Sequence, residues 1–546
     1  VRAPDAITSF TIGEAVGIII GTDITVLVSK ETDVTNLSPA VTVSAEASVS
    51  PESGAARNFT NPVQYTVTAQ DDTQKIYTVT VKTALNSAAE VSNYLTAASG
   101  GTGGAPLPLP VTCDLSTTGD TAADIFTAIS GAGKYVALDL TDCTGITEFP
   151  SGASNGPLKD GGPFIVSLVL PDIVTSIADT EGNTAYISYP SSFTSLKKVS
   201  GKGITSIGNG AFTFSILGNT SLEEADFPEV TEIDDSAFQY CKSLTNINFS
   251  KATSIGNSAF IGCSSLLEVS FPTVTSIGEQ AFYGCRRLVT VSFPEVTSID
   301  NYAFSNCSAL PGVSLPKATD IGDYVFMQCD VLVTVNLPKA TSIGDSAFYL
   351  SPNLEEVNFP EATSIGEDAF LSGYFQQSKI KTVTLPKATS IGKSAFQECD
   401  KLETVSLPKA TNIGESAFQQ CSALVTVTLP KATSIGNYAF SYSANETSAS
   451  ALTTVSLPVV TSIGEGAFQQ CRVLTTLTLP GEPPTLGTSV FSQTNNEDTT
   501  LSIKVPSSNA LSAYESAWNV LANTKADKNR NKYGDDHKAI NIEAES

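Results

Sequence analysis

A unit of 22 residues, clearest at residues 401–422 (KLETVSLPKATNIGESAFQQCS), recurs from about Val199 to the end of the 400s and constrains the fold more than any other feature. Its recurring letters are an apolar start, V-x-L-P, A-T-x-I-G and A-F, with Cys usually three places after the Phe. From Phe238 to Phe370 the marking phenylalanine returns at every 22nd residue, and it continues at Phe396, Phe418, Phe440, Phe468 and Phe491. Self-similarity at a fixed period points to a solenoid, because one unit cannot bury its apolar face alone and must stack on its neighbours.

Each copy reads as one coil. Val427 and Leu429 alternate with Thr426 and Thr428, so a period of two sends the aliphatics inward and the hydroxyls outward along a short strand. Pro430 ends that strand, having no N–H to continue a ladder. Ala432, Ile435, Ala439 and Phe440 follow at the spacing of a second inward segment and a tight helical turn, with Gly436 at a corner where a side chain would crowd.

A chain of 546 residues would usually hold several domains, but a repeat array can run long as one body because its core grows in one dimension. With 30 Lys and Arg against 55 Asp and Glu, the formal charge is −25, which opposes nucleic acid and anionic membranes as partners. No run of apolar residues is long enough for a transmembrane segment. The first residues show no basic stretch followed by an apolar core, so Val1 is expected to follow a removed export signal or an expression boundary.

Cys241, Cys263, Cys285, Cys307, Cys329, Cys399, Cys421 and Cys471 hold one position in their coils, beside Phe, and are expected to form a buried ladder of free thiols. Neighbouring coils bring Cα atoms to about 5 Å, but parallel Cβ vectors seldom permit the bond. The converging ligands of a zinc site are lacking, so no metal and no cofactor are expected. Cys113 and Cys143 stand outside the array, and whether they pair stays open.

Taken in order, residues 1–83 carry alternating segments (ITVLVS, AVTVSA, VQYTVTAQ, KIYTVTVK) separated by turn-rich stretches, the pattern of a small all-β sandwich of immunoglobulin-like kind. Asp71-Asp72 reads as a hairpin turn in preference to a calcium pair. Residues 84–110 hold an amphipathic stretch around Val91, Tyr94 and Leu95, then GGTGGAPLPLP, expected as a linker with a hinge. Residues 111–165, read as strand, helix and strand, are the expected amino-terminal cap; 166–505 are the solenoid, and 506–546 the carboxy-terminal cap and tail, with Tyr514 and Trp518 on a helix. The array is interrupted at 372–380 and 441–450, where extra residues must loop out, and Tyr374 and Phe375 are a candidate binding loop or a local cover for the edge.

The motif L-x-x-V-x-L-P-x-A-T-x-I-G-x-x-A-F-x-x-C over roughly 165–505 closely resembles the BspA-type leucine-rich repeat of bacterial cell-surface proteins. GKYVALDLTDCTGITEFP and YGDDHKAINI resemble segments flanking that repeat, and residues 1–83 resemble the β-sandwich module that precedes repeats in bacterial surface proteins. The resemblance implies a mainly β leucine-rich-repeat solenoid with short helical turns behind a small all-β sandwich. It also implies export to the cell surface or beyond, an adhesin role, and an extracellular host or bacterial protein or glycan as partner. It supplies no catalytic residues. Here Thr follows the recurring Ala in most copies, where the family shows a mixture.

Catalysis finds little material. The one histidine, His537, lies in the tail, so nucleophile–base arrangements with His are absent from the repeat body. Glu223-Glu224 and Glu355-Glu356 are adjacent on strands and face opposite sides, so neither pair converges. The outward strand positions carry the most information. They run from Glu224 and Asp226 to a neutral hydroxyl rank: Thr382, Thr384, Thr404, Ser406, Thr426, Thr428, Thr454, Ser456, Thr476 and Thr478. A flat rank of small polar groups suits a broad protein or glycan contact, although Thr also stabilises any exposed ladder. The expected function is non-enzymatic binding at the cell surface; the alternative is a spacer that displays the amino-terminal module.

Overall fold

A computed structural model describes residues 6–13, 15–28, 32–98, 100–115, 122–149, 162–177, 193–213, 221–373, 378–442, 450–492, 501–517 and 540–544. The chain divides into two compact units, Val1–Glu229 and Val230–Ser546.

The first unit opens with an all-β module in which two sheets share one core. Ile7–Ile12 pairs antiparallel with Ala15–Val16 and with Ala40–Val43. The second sheet runs in the order Ile18–Ile20, Asp23–Leu27, Gln74–Lys82, Val63–Thr68, Ser48–Ser50. Alternation sets the inward side chains: in Val63–Thr68, Tyr65 and Val67 are buried and Gln64 is exposed. Phe10 meets Tyr65 edge-on at 5.2 Å, the arrangement a ring quadrupole favours. Asp71 does make the hairpin turn, accepting from the Thr73 N–H at 3.1 Å and hydroxyl at 2.5 Å, while Asp72 takes a φ of 63°.

Residues 84–110 are not a free linker; they pack within the first unit. Ser87 caps a helix, α1 (Ala88–Ala97), by accepting from the Glu90 N–H at 3.2 Å, and the Glu90 carboxylate accepts from the Asn86 N–H at 3.1 Å. Val91, Tyr94 and Leu95 are its buried face, as the spacing indicated. Lys134 closes the other end, donating to Leu95 O at 2.6 Å and to Ala98 O. Gly101, at φ 83°, turns the chain into a strand, Leu107–Pro110, that runs parallel to Val136–Asp139. Leu107 and Val111 donate to Tyr135 O and Asp139 O across that pairing. Pro108 and Pro110 therefore fall where an N–H would point away from the sheet, so the prolines that resembled a linker are compatible with an outer strand. Beyond it, α2 (Ala122–Ala132) buries Ile125, Phe126 and Ile129. Strands Ile165–Val169, Lys198–Ser200 and Glu224–Asp226 add on in parallel.

In the second unit each coil contributes two short parallel strands. The Ser-Ile strands form an uninterrupted rank from Glu232–Ile233 to Thr485–Leu486. The V-x-L strands form a broken one: Glu268–Ser270 with Thr290–Ser292, then Gly312–Ser314 to Glu356–Asn358, then Thr382–Thr384 onward. One break has a visible cause. Val289 and Val333 each donate to the carbonyl one coil back, at 2.8 Å, and Pro311 occupies the same place without an N–H.

The coil corner is a run of hydrogen-bonded turns that also links coils. Ser416, Phe418 and Gln420 donate to Asn437 O, Ala439 O and Ser441 O of the next coil, while Ala417, Gln419 and Cys421 bond locally. Alternate N–H groups are thus satisfied between coils, which requires left-handed residues on either side of the Phe, as at Ser416 (φ 54°) and Gln420 (φ 63°). Inside, the phenylalanines from Phe238 to Phe491 stack with centroids 4.9–6.0 Å apart and planes within 12°. Leu501–Val505 ends the V-x-L rank, α3 (Ser508–Ala517) follows, and Ile540–Ala544 adds one further parallel strand. Tyr514 is buried on that helix and its hydroxyl donates to Pro480 O at 3.1 Å. Trp518 and His537 lie outside the described residues.

Candidate binding face

The ten hydroxyl residues come together as two columns. Thr382, Thr404, Thr426, Thr454 and Thr476 are successive register partners, as are Thr384, Ser406, Thr428, Ser456 and Thr478. Between the columns Val383, Val405, Val427, Val455 and Leu477 are buried, so the backbone under the face is held by the core. The residues on the first three strands are exposed and those on the last two half-buried. At about 4.8 Å per strand the columns run roughly 20 Å. None of the ten is charged. Tyr374 and Phe375 lie outside the described residues.

Glutamates at and beside the acidic beginning of the stripe pair with lysines. In the first unit Glu223 pairs with Lys197 and Glu224 with Lys198, each at 2.8 Å from the neighbouring coil. In the second, Glu355 sits 3.9 Å from Lys379. These carboxylates face lysines, not each other, so they do not form the facing pair that glycoside hydrolysis uses.

The Thr of A-T-x-I has a different task. Thr253, Thr297, Thr341, Thr389, Thr411, Thr433 and Thr461 donate through Oγ1 to the carbonyl of the equivalent Thr one coil back, at 2.9–3.1 Å. Their hydroxyls are engaged within the stack.

Two grooves lie along the Ser-Ile rank, a surface the reading of the sequence did not single out. One, of about 290 Å³, is lined by Ser276, Ser298, Asp300 and Asp320; the other, of about 640 Å³, by Glu415, Ser434, Asn437, Ser462, Glu465 and Thr485. The signal was present as the recurring Gly: a Cβ on Gly436 would stand 2.5 Å from Glu415 N, so a side chain there crowds the preceding coil, although Asp234 and Asp300 hold the same place in their coils. The next residue extends the ladder, with Asn257, Asn301, Asp323, Asp345 and Asn437 each accepting, through Oδ1, an N–H one coil on at 2.7–2.8 Å.

The ladder cysteines are buried and reduced. Burial pushes the thiols of Cys285, Cys329, Cys399 and Cys471 up to about 12, so they are inert as nucleophiles. Glu398 is buried with neither carboxylate oxygen hydrogen-bonded, and desolvation raises its pKa above the ordinary carboxylate value. Among the described residues no group of three or more acidic, His or Cys side chains is arranged to hold a metal ion, and no helix is long and apolar enough to cross a membrane.

Stacked coils with two strands each, closed by an Ala-Phe corner over a phenylalanine ladder, define a leucine-rich-repeat solenoid. The BspA type leucine rich repeat region (6 copies) matches residues 182–310, 253–373, 319–447, 371–496 and 447–525, and the chain belongs to that family. Residues 7–81 match a second family, described as SGBP, N-terminal. Among solved structures, the chain is similar to a leucine-rich repeat protein from Bacteroides ovatus ATCC 8483 (23% identity, 69% of this chain and 91% of that one, TM-score 0.48). It is also similar to a leucine rich cell surface protein from Faecalibacterium prausnitzii A2-165 (23% identity, 57% and 86%, TM-score 0.33). A putative glycoside hydrolase from Bacteroides thetaiotaomicron VPI-5482 shares 36% identity over 15% of this chain and 27% of that one, at a TM-score of 0.15. No curated protein matches the chain.

Proposed function

We propose that this is a non-enzymatic cell-surface binding protein that presents the hydroxyl columns of its solenoid to an extracellular host or bacterial protein or glycan. The observation that carries the reading is the register of those columns: ten small, uncharged hydroxyl residues on a backbone fixed by a buried ladder. Such a face offers many weak polar contacts, which suits an extended ligand. Location at or outside the cell surface belongs to the same proposal and rests on the resemblance to surface repeat proteins. So do the domain limits, with 1–83 as a displayed module, 166–505 as the binding array and 506–546 as its terminal cap.

The purified full chain, tested against a panel of matrix proteins and glycans, should bind at least one of them. Replacing Thr404 and Thr426, which are exposed, and Thr454, which is half-buried, together by Lys should weaken that binding about tenfold or more. Unchanged binding in the variant moves the contact elsewhere, the grooves of the Ser-Ile rank being the next surface to alter. No binding across the panel favours the spacer reading.

A further inference from the structure

Two cysteines differ from the other eight in what their sulfurs face. In the array, Cys263, Cys285, Cys307, Cys329, Cys399, Cys421 and Cys471 turn their thiols toward the carbonyl of a phenylalanine one coil back, as Cys263 to Phe238 O at 3.2 Å, Cys307 to Phe282 O at 3.3 Å and Cys421 to Phe396 O at 3.2 Å. At residue 351 a serine does the same, donating to Phe326 O at 2.7 Å.

Cys113 and Cys143 have their sulfurs 3.6 Å apart. The backbone beneath them is already joined: Thr144 N–H donates to Cys113 O at 2.9 Å and Leu115 N–H to Thr144 O at 2.7 Å, around a parallel bridge between Asp114 and Thr144. Adjacent strands hold Cα atoms about 5 Å apart, within the span a disulfide accepts. Cys143 is buried and donates to Val111 O at 3.3 Å, whereas Cys113 is half-exposed and can be reached from solvent.

We propose that Cys113 and Cys143 are a disulfide site, closed by exchange with a protein or low-molecular-weight disulfide in an oxidising compartment. The Cys113 sulfur beside it, together with burial, pushes the Cys143 thiol well up, so exchange begins at Cys113. The Cys113 thiolate attacks one sulfur of the oxidant, the oxidant's S–S bond breaks, and one thiolate leaves with its electron pair. Cys143 then loses its proton and attacks Cys113 Sγ, expelling the second thiolate. Two cysteine thiols are oxidised, one external disulfide is reduced to two thiols, and the two protons end on those thiols. The new bond closes the stretch of chain that carries α2 and Val136–Asp139, so it clamps the amino-terminal end of the coil stack against unravelling.

The test uses the full chain equilibrated with oxidised glutathione, then unfolded in iodoacetamide and digested without reduction. The expected digest contains one peptide pair linking Cys113 to Cys143 and eight alkylated cysteines, the ladder set. Ten alkylated cysteines, a stable glutathione adduct on Cys113 without the internal link, or links through ladder cysteines would overturn the proposal. A second measurement covers stability. Adding reductant should lower the melting temperature of the oxidised chain by several degrees and leave the Cys113→Ser/Cys143→Ser double variant unmoved; an equal shift in both overturns the clamp.

Discussion

The all-β module and the coils of the second unit are both sheets over an apolar interior, but they recruit partners differently. In the module Phe10 packs on Tyr65, a different residue from a distant strand. In the array Phe304 packs between Phe282 and Phe326, copies of itself one coil away on either side. A core built from distant strands holds or fails together, whereas a stack of coils, with Phe304 also edge-on to Phe293, is a line of nearest-neighbour interfaces whose damage stays local.

The sharpest way to break that contrast is to truncate one ring in each. Phe304 and Phe10 are both fully buried, so either change to Ala should cost about 3 to 5 kcal/mol in chemical denaturation. Hydrogen exchange should then separate them. Phe304→Ala should strip amide protection from the coils of Phe282 to Phe326 while those around Phe440 and Phe468 keep theirs; Phe10→Ala should release the whole module at once. A cost under about 0.5 kcal/mol for Phe304→Ala would contradict its inward role, and uniform loss of protection along the array would contradict the nearest-neighbour picture.

Glycines sharpen the comparison at a smaller scale. In the array Gly436 is required by closeness, since an added Cβ would meet backbone of the preceding coil at 2.5 Å. In the module Gly13 is required by conformation: its φ is 57° and nothing lies within 4 Å of the added carbon. Gly436→Ala should cost about 1 to 3 kcal/mol by forcing coils apart, and Gly13→Ala about 1 kcal/mol from backbone strain alone. Equal, small costs would mean that glycine does not set the coil spacing.

The same difference explains what was legible beforehand. Repetition made the array readable because one alternation, Val427 and Leu429 against Thr426 and Thr428, serves coil after coil, and because the buried Cys beside Phe returns in most of them. It also let the hydroxyl columns be placed before their register was known. The segment 84–110 was misread since prolines and glycines weigh toward a linker when strand neighbours are unknown; Pro108 and Pro110 fit a strand only because their missing N–H groups face away from Val136–Asp139. The grooves of the Ser-Ile rank were missed for a related reason. They lie across the corners of several stacked coils, and a single coil shows only a corner residue.

The smallest expected effect concerns the Thr that follows Ala or Val in the A-T-x-I segment of these copies. Thr411 Oγ1 donates to Thr389 O at 3.1 Å, but that carbonyl already takes the Thr411 N–H at 2.8 Å. Thr411→Val keeps the shape and the β-branch, leaves the carbonyl satisfied, and removes one exposed hydrogen bond. Its cost in thermal or chemical denaturation should therefore not exceed about 0.5 kcal/mol, matching Thr8→Val in the module, where Thr8 Oγ1 donates to Thr42 O at 3.2 Å. A cost above about 1.5 kcal/mol at Thr411, with none at Thr8, would show that the hydroxyl ladder acts cooperatively along the stack. The array would then be held by a polar edge as well as by its phenylalanine interior, and the recurrent Thr would be a structural requirement of this chain.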